Sequence, residues 1–210
     1  MLTEPKKYCE DLLKGKSLVE MESKIRGLRM SMSRLKRIVE NPNYIENVCP
    51  SKRTEIKWYR DCLIYARLLY EQAGGVYKPS RAELKAEEFD ERIEDIVQVK
   101  FSCGSFAGHN VCVISFNNEE VVLKKYGNMQ QELPAPIVWE VKVEWLELLR
   151  AIHIGEWRKR YCDSQVMDGE QWELEIMYKD YKRVSFWGSN AYPFSYDELI
   201  ELFNIESKEE

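Results

Sequence analysis

Apolar side chains recur at alternating steps of three and four from Leu18 through Met21, Ile25, Leu28, Met32 and Leu35 to Val39. That spacing puts them on one stripe of a helix as an unbroken heptad seam. Ser17 and Glu20 open the segment as a capping box, each satisfying an amide that a helix start leaves unpaired. Asn41 and Pro42 end it. A second seam follows Pro50 and Ser51, running through Ile56, Tyr59, Leu63, Ala66, Tyr70 and Ala73 to a stop at Gly74 and Gly75. Two seams of similar length joined by a short connector predict an antiparallel helical hairpin. Ser80 and Glu83 make another capping box and start a third, acidic helix through Glu87, Glu88, Asp90 and Glu91.

Beyond residue 90 the period changes. Ile96–Cys103, Val111–Phe116 and Val121–Tyr126 read as strands, with turns at Gly104–Gly108 and at Asn117 and Asn118. After Pro134 and Pro136 a helix carries Trp145, Leu148, Leu149 and Ile152, and Gly155 stops it. Trp172, Leu174, Ile176 and Tyr178 alternate with Glu173, Glu175, Met177 and Lys179, the pattern of a half-buried strand entered by an Asp168–Gly169 turn. Tyr181–Trp187 pairs back, and Ser195 and Glu198 cap a last helix bearing Leu199, Ile200, Leu202 and Phe203. The order β-β-β-α-β-β-α predicts an α+β fold: an antiparallel sheet covered on one face by two helices, preceded by the hairpin. The boundary is drawn at residue 90, grouping the acidic helix with the hairpin (1–90) and leaving 91–210 as the α+β domain. The tail after Ile205 is expected to fray.

The stretch from Asp168 and Gly169 through Trp172, Leu174 and Ile176, followed by Gly188, Ser189, Asn190, Ala191, Tyr192 and Pro193, resembles a pattern in uncharacterised proteins of Gram-positive gut bacteria and their mobile elements. It covers about the last third of the chain. The resemblance implies a bacterial or phage origin and carries no activity with it. Physically, Gly188–Pro193 suits a tight strand-to-helix connection, since Gly and Asn tolerate positive φ and Pro ends the extended segment.

No apolar run approaches the roughly 20 residues needed to cross a bilayer, and the first fifteen residues lack the apolar centre of a signal peptide. A cytoplasmic protein with no membrane partner is expected. Cys9, Cys49, Cys62, Cys103, Cys112 and Cys162 are scattered with no Cys-x-x-Cys pair, which points to reduced thiols. The net charge of −5 hides an asymmetry: residues 1–86 carry +7 and residues 87–210 carry −12. Such a split gives two surfaces with different preferred partners.

Candidate chemistry is sparse. Nucleophilic catalysis needs an activated Ser or Cys beside a base, and the chain has two histidines, His109 and His153. His109 lies close in sequence to Cys103 and Cys112, and Cys162 or His153 would complete four possible zinc ligands. This is the basis of the alternative reading, a thiol- or zinc-dependent enzyme built on Cys103, His109 and Cys112. The spacing matches no zinc knuckle, and Cys112 falls in an apolar strand, so buried thiols and a turn histidine are the plainer reading; no catalytic residue, metal ligand or cofactor is assigned. Gly104–Gly108 lacks the Gly-Lys-Ser/Thr ending of a phosphate loop and precedes a strand, so it reads as a turn. Asp168 and Glu170 beside Gly169 read as turn residues before they read as a carboxylate pair. Trp139, Trp145, Trp157, Trp172 and Trp187 read mostly as core, with Trp157 and Trp187 the most exposed.

The basic arm is more informative. Lys24, Arg26, Arg29, Arg34, Lys36 and Arg37 surround the first seam. Arg29 and Lys36 flank it, while Arg60 and Arg67 occupy the equivalent flank of the second helix. Such flanks ordinarily pair acid with base; here they repel and demand an anion. The acidic third helix could supply it within the chain, or a phosphate backbone or acidic protein surface could supply it from outside. The expected function is that of a non-enzymatic binding protein, with those six cations meeting a macromolecular partner of anionic surface, a protein or nucleoprotein. An inhibitor of a nucleic-acid-handling host-defence complex fits the charge split, and self-assembly through the seams is a further option.

Overall fold

The computed structural model of the chain describes residues 2–105, 108–117, 120–127, 132–133, 142–166 and 168–203. The expectations placed on Phe106, Ala107, Asn118, Pro134, Pro136, Trp139 and the tail after Ile205 lie outside these residues. The fold is α+β, and the chain divides into two compact units, Met1–Pro79 and Ser80–Glu210. No helix is long and apolar enough to cross a membrane among the described residues.

The first unit holds three helices: α1 (Pro5–Leu13), α2 (Leu18–Val39) and α3 (Lys52–Gln72). The two long ones follow the seams. Met21, Ile25, Leu28 and Leu35 of α2 are buried, as are Ile56, Leu63, Ala66 and Tyr70 of α3. Met21 near the start of α2 shares a core cluster with Tyr70 near the end of α3, as antiparallel packing requires. Leu18 is exposed despite its seam position, because it stands at the first helical residue. The Ser17–Glu20 capping box forms with both reciprocal hydrogen bonds.

The helix α1 has no counterpart in the sequence reading. Pro5 fixes its first turn, Gly15 at φ 67° follows its end, and Cys9 and Leu13 are buried in the same cluster as the two seams. Its partners include the half-buried Trp58 of α3, whose ring meets Tyr8 edge-on at 4.8 Å and whose Nε1 donates to the Thr3 carbonyl. Nine residues with four apolar positions give too little periodicity to announce a helix; α3 stabilises it by tertiary packing.

In the second unit α4 (Arg81–Glu91) starts at the expected capping box of Ser80 and Glu83. The sequence boundary at 90 grouped this helix with the hairpin, whereas the structure assigns it to the second unit. The reason is close backbone packing. A 3-10 turn over Ile154–Glu156 presses Gly155 against Ala86 and Phe89 of α4, where a Cβ would collide with the Ala86 Cα. Gly155 therefore serves helix packing and is not the expected helix stop. That helix, α5 (Lys142–Ala151), ends earlier and is followed by His153 in the left-handed region at φ 57°.

Among the described residues seven strands form one sheet in the order β4-β3-β2-β1-β6-β7-β5. They are β1 (Ile96–Ser105), β2 (Gly108–Asn117), β3 (Glu120–Tyr126), β4 (Glu132–Leu133), β5 (Arg160–Cys162), β6 (Gln171–Tyr178) and β7 (Arg183–Ser189). Pairing is antiparallel except at one edge, where the short β5 runs parallel to β7. This corrects the purely antiparallel expectation; three residues without alternation give no strand signal. Tyr181 sits at φ 61° in the β6–β7 turn, so β7 begins later than expected. One face of the sheet packs on α5 and α6 (Tyr196–Leu202). Phe101 stacks on Phe203 at 5.3 Å, and Trp145 meets Phe203 and Phe116 at 6.1 and 5.4 Å.

Ser195 precedes α6 as expected but does not cap it. It is buried, accepts from Trp157 Nε1 at 2.9 Å and donates to the Ile152 carbonyl at 2.7 Å. This hydrogen bond explains why Trp157, expected among the exposed tryptophans, is buried, edge-on to both Trp172 and Phe186.

Candidate binding surface on the helical hairpin

The six cations singled out on α2 do not form one cluster. At 100° per residue, Arg26, Arg34 and Arg37 fall on the face opposite the buried seam, Arg29 and Lys36 fall on one flank, and Lys24 on the other. Lys24, Arg26, Arg34 and Arg37 are exposed, whereas Arg29 and Lys36 are half-buried.

Arg29 is committed within the first unit. Its guanidinium lies over the Tyr77 ring at 4.8 Å and donates to the Lys78 carbonyl at 3.0 Å. Arg67 lies over the same ring at 4.7 Å and pairs with Glu71 at 3.2 Å. The expected repulsion along this flank is therefore relieved by an aromatic ring from the link, a carbonyl and a neighbouring carboxylate. Arg29 is thus engaged within the unit. Tyr77 lies beyond the helix stop at Gly74 and Gly75, where no periodicity places its ring against the seams. Arg26 makes a long, exposed i,i+4 contact with Glu22 at 3.8 Å, a pairing of small energetic weight.

Arg34 and Arg37 are brought together. With Ile38, Asn41, Asn43 and Tyr44 they line an open cleft of about 570 Å³ at the carboxyl end of α2. Arg34 takes part in none of the ion pairs among the described residues, and Arg37 makes only a 3.4 Å contact from Nε to the Ser33 carbonyl one turn back. The far wall is organised by the connector. The Asn41 side chain accepts from the Asn43 amide at 3.0 Å, and Tyr44 donates its hydroxyl to Glu46 at 2.5 Å. Glu46 in turn accepts from the Lys52 amide at 3.0 Å, and the Ser51 hydroxyl accepts from Thr54, so the connector also caps α3.

Burial and the bond to Glu46 push the Tyr44 phenol up to about 12. For Glu46 burial acts upward, but the hydrogen bonds from Tyr44 and from the Lys52 and Arg53 amides outweigh it and hold the carboxyl below its usual range. Tyr44 is thus a fixed, neutral ring beside two guanidinium groups. Ile45 and Val48 on the same connector are 78% and 44% exposed. Sequence reading took Asn41 and Pro42 only as a helix stop; the signal it passed over was an aromatic residue immediately after that stop and within reach of two arginines.

Two guanidinium groups, two amides and a ring suit a planar or tetrahedral oxyanion flanked by a flat group. Arg37, with Lys36, also lies in the last turn of α2, where cations complement the negative end of a helix dipole, which is worth about 0.3–1 kcal/mol and needs no ligand.

The alternative site comes apart. Cys103 pairs with Asn110 and Gly104 with His109, so strand alternation puts Cys103 and Cys112 on the helix-covered face and His109 on the other. Cys103 and Cys112 are buried, and burial raises the Cys112 thiol. A base on the opposite side of a sheet cannot activate either thiol. Among the described residues no group of three His, Cys, Asp or Glu side chains is placed to hold a metal ion. Glu170 is occupied structurally: it accepts from the Tyr196 hydroxyl at 3.2 Å, and its backbone is clasped by Asn190 through bonds of 2.8 and 2.9 Å. The two motif stretches carrying the bacterial resemblance thus meet in space, with Trp172 directly opposite Gly188.

Comparison of the chain with protein-family models, curated proteins and solved structures returns no match, so the functional reading rests on its own residues.

Proposed function

We propose that this is a non-enzymatic binding protein whose helical hairpin presents a cationic tip to an anionic macromolecular partner. The observation that carries the reading is the convergence of Arg34, Arg37 and Tyr44 on one open cleft. Phosphate backbone is the anion this set fits best, since two guanidinium forks can take phosphate oxygens while a ring accepts a base or sugar. Charge distribution supports it. Met1–Pro79 carries 16 Lys/Arg against 10 Asp/Glu, and Ser80–Glu210 carries 15 against 26. The basic unit draws a polyanion and the acidic unit resists one, which orients an encounter. A cytoplasmic inhibitor of a nucleic-acid-handling defence complex, of bacterial or mobile-element origin, would use both surfaces. Titration of the full chain with duplex DNA and with RNA at low salt tests the reading. Saturable binding to either is expected, and its absence with both would overturn it.

Self-association is the second reading. Ile64 and Leu68 stand one turn apart on α3, 54% and 48% exposed. Sedimentation equilibrium of the parent and of Ile64→Glu would show a dimer lost on substitution if α3 pairs between chains, and a monomer in both if it does not.

A further inference from the structure

The face of the sheet away from α5 and α6 carries side chains in cross-strand rows. Register places Ser102, Glu173, Trp187 and Arg160 in one row across β1, β6, β7 and β5. Lys100, Glu175 and Ser185 form the row beside it, and His109, Gln171 and Ser189 line up with Gly104 on the other side. Around Trp187 opens a cleft of about 550 Å³, lined among others by Ser102, His109, Gln171, Glu173 and Ser189.

Two carboxylates stand on the β6 part of this face, and they differ. Glu175 is engaged by Arg183, Nη1 to Oε1 at 3.2 Å. Glu173 is exposed and takes part in none of the ion pairs among the described residues, although it stands directly opposite Trp187. Trp187 itself leaves 40% of its surface to solvent, an expensive exposure for an indole on a sheet face. Its ring already attracts a cation from its own unit: the Arg160 guanidinium lies 5.7 Å from its centroid.

We infer that the Trp187–Glu173 cleft receives an arginine side chain of a basic partner protein. A guanidinium is planar and weakly hydrated, so it stacks on an indole while its fork hydrogen-bonds a carboxylate. Glu173 across the strand pair supplies that carboxylate, and the polar rim of Ser102 and Gln171 offers further hydrogen bonds. Charge selects among ligands. With 26 Asp/Glu against 15 Lys/Arg the second unit attracts a cationic protein and repels phosphates, and Glu173 at the cleft's lip does so at short range. Lysine, a strongly hydrated point charge, gains less from the ring and cannot fork. The inference stands on the second unit alone and does not depend on the hairpin reading.

The test is calorimetric titration of the full chain, at low salt, with a capped glycine–serine peptide bearing arginines and with its lysine and citrulline counterparts. The arginine peptide is expected to bind several-fold tighter than the lysine peptide, and the citrulline peptide not at all. Glu173→Gln, an isosteric exposed change, should weaken arginine binding about tenfold, the loss of one charge-assisted pair. Glu175→Gln should leave it unchanged, and Trp187→Ala should weaken it with thermal unfolding monitored alongside. Equal affinity for arginine and lysine peptides, or Glu173→Gln binding as the parent does, would overturn the proposal. So would an absence of peptide binding, or a neutral oligosaccharide or oligonucleotide occupying the cleft in its place.

Discussion

Arg29 lies over the ring of Tyr77 at 4.8 Å, and Arg67 shares that ring from the neighbouring helix. The link that follows the hairpin thereby folds back onto its basic flank and satisfies two cations within the unit. What is left facing outward is the opposite stripe of α2, and its carboxyl end is where Arg34 and Arg37 meet Tyr44. The difference is physical: the flank cations are engaged within the unit, while those at the end of the arm line an open cleft.

The hairpin core carries the stability of the first unit. Leu28 and Leu63 are 4% and 8% exposed. Leu28→Ala and Leu63→Ala should each cost roughly 2–4 kcal/mol in denaturant unfolding. Parent-like midpoints for both would remove the packing assigned to the seams.

Ser195 joins two elements through one hydroxyl. Replacing it by Ala strands the Trp157 indole N–H and the Ile152 carbonyl in a buried setting, which should cost about 1–3 kcal/mol. Ser195→Thr or Ser195→Gly does not isolate the effect, since one adds volume and the other frees the backbone, so Ala is the informative change. A loss within experimental error would show that water replaces the hydroxyl.

Legibility followed the strength of local signals. The seams of α2 and α3 and the boxes at Ser17 and Ser80 combine periodicity with capping chemistry, and both survive into the structure. Ser195 shows the limit of the box signature: a buried indole competes for the hydroxyl, which no local spacing reveals. The helix α1 and the strand β5 are too short to show a period and exist because α3 and β7 offer them a partner. Gly188 was read as a turn residue, yet it is buried in β7 because the Trp172 indole occupies the space of its missing side chain. For the candidate cleft, the sequence singles out the arginines but not their neighbours. Separating Arg29 from Arg34 and Arg37 required knowing where Tyr77 and Tyr44 fold back.

The packed pair Tyr192 and Tyr196 gives a pH signature. Burial first, then Glu170 and Cys103, raise the phenols of Tyr192 and Tyr196, Tyr192 to about 12. A raised phenol in the fold contributes stability that is complete below the ordinary value near 10 and is lost as pH climbs through the folded value. Stability should therefore fall between about pH 10 and 12, and the stability difference between parent and Tyr192→Phe should shrink across that window. Chemical unfolding at several alkaline pH values checks it; parallel curves for the two proteins would show that Tyr192 is not raised.

Whether the tip of the hairpin meets phosphate is decided by the salt dependence of binding to duplex DNA. Affinity should be measured across a salt series for the parent and for a variant carrying Arg34→Gln and Arg37→Gln. Each phosphate contact releases a condensed counterion and adds nearly one unit to the slope of log affinity against log salt. The account predicts that the double variant keeps the parent's thermal stability within about 1 kcal/mol, since both side chains are exposed and only the charge at the helix end is lost. It further predicts that the slope falls by about two. Identical slopes for parent and variant, or no binding by the parent even at low salt, would contradict it.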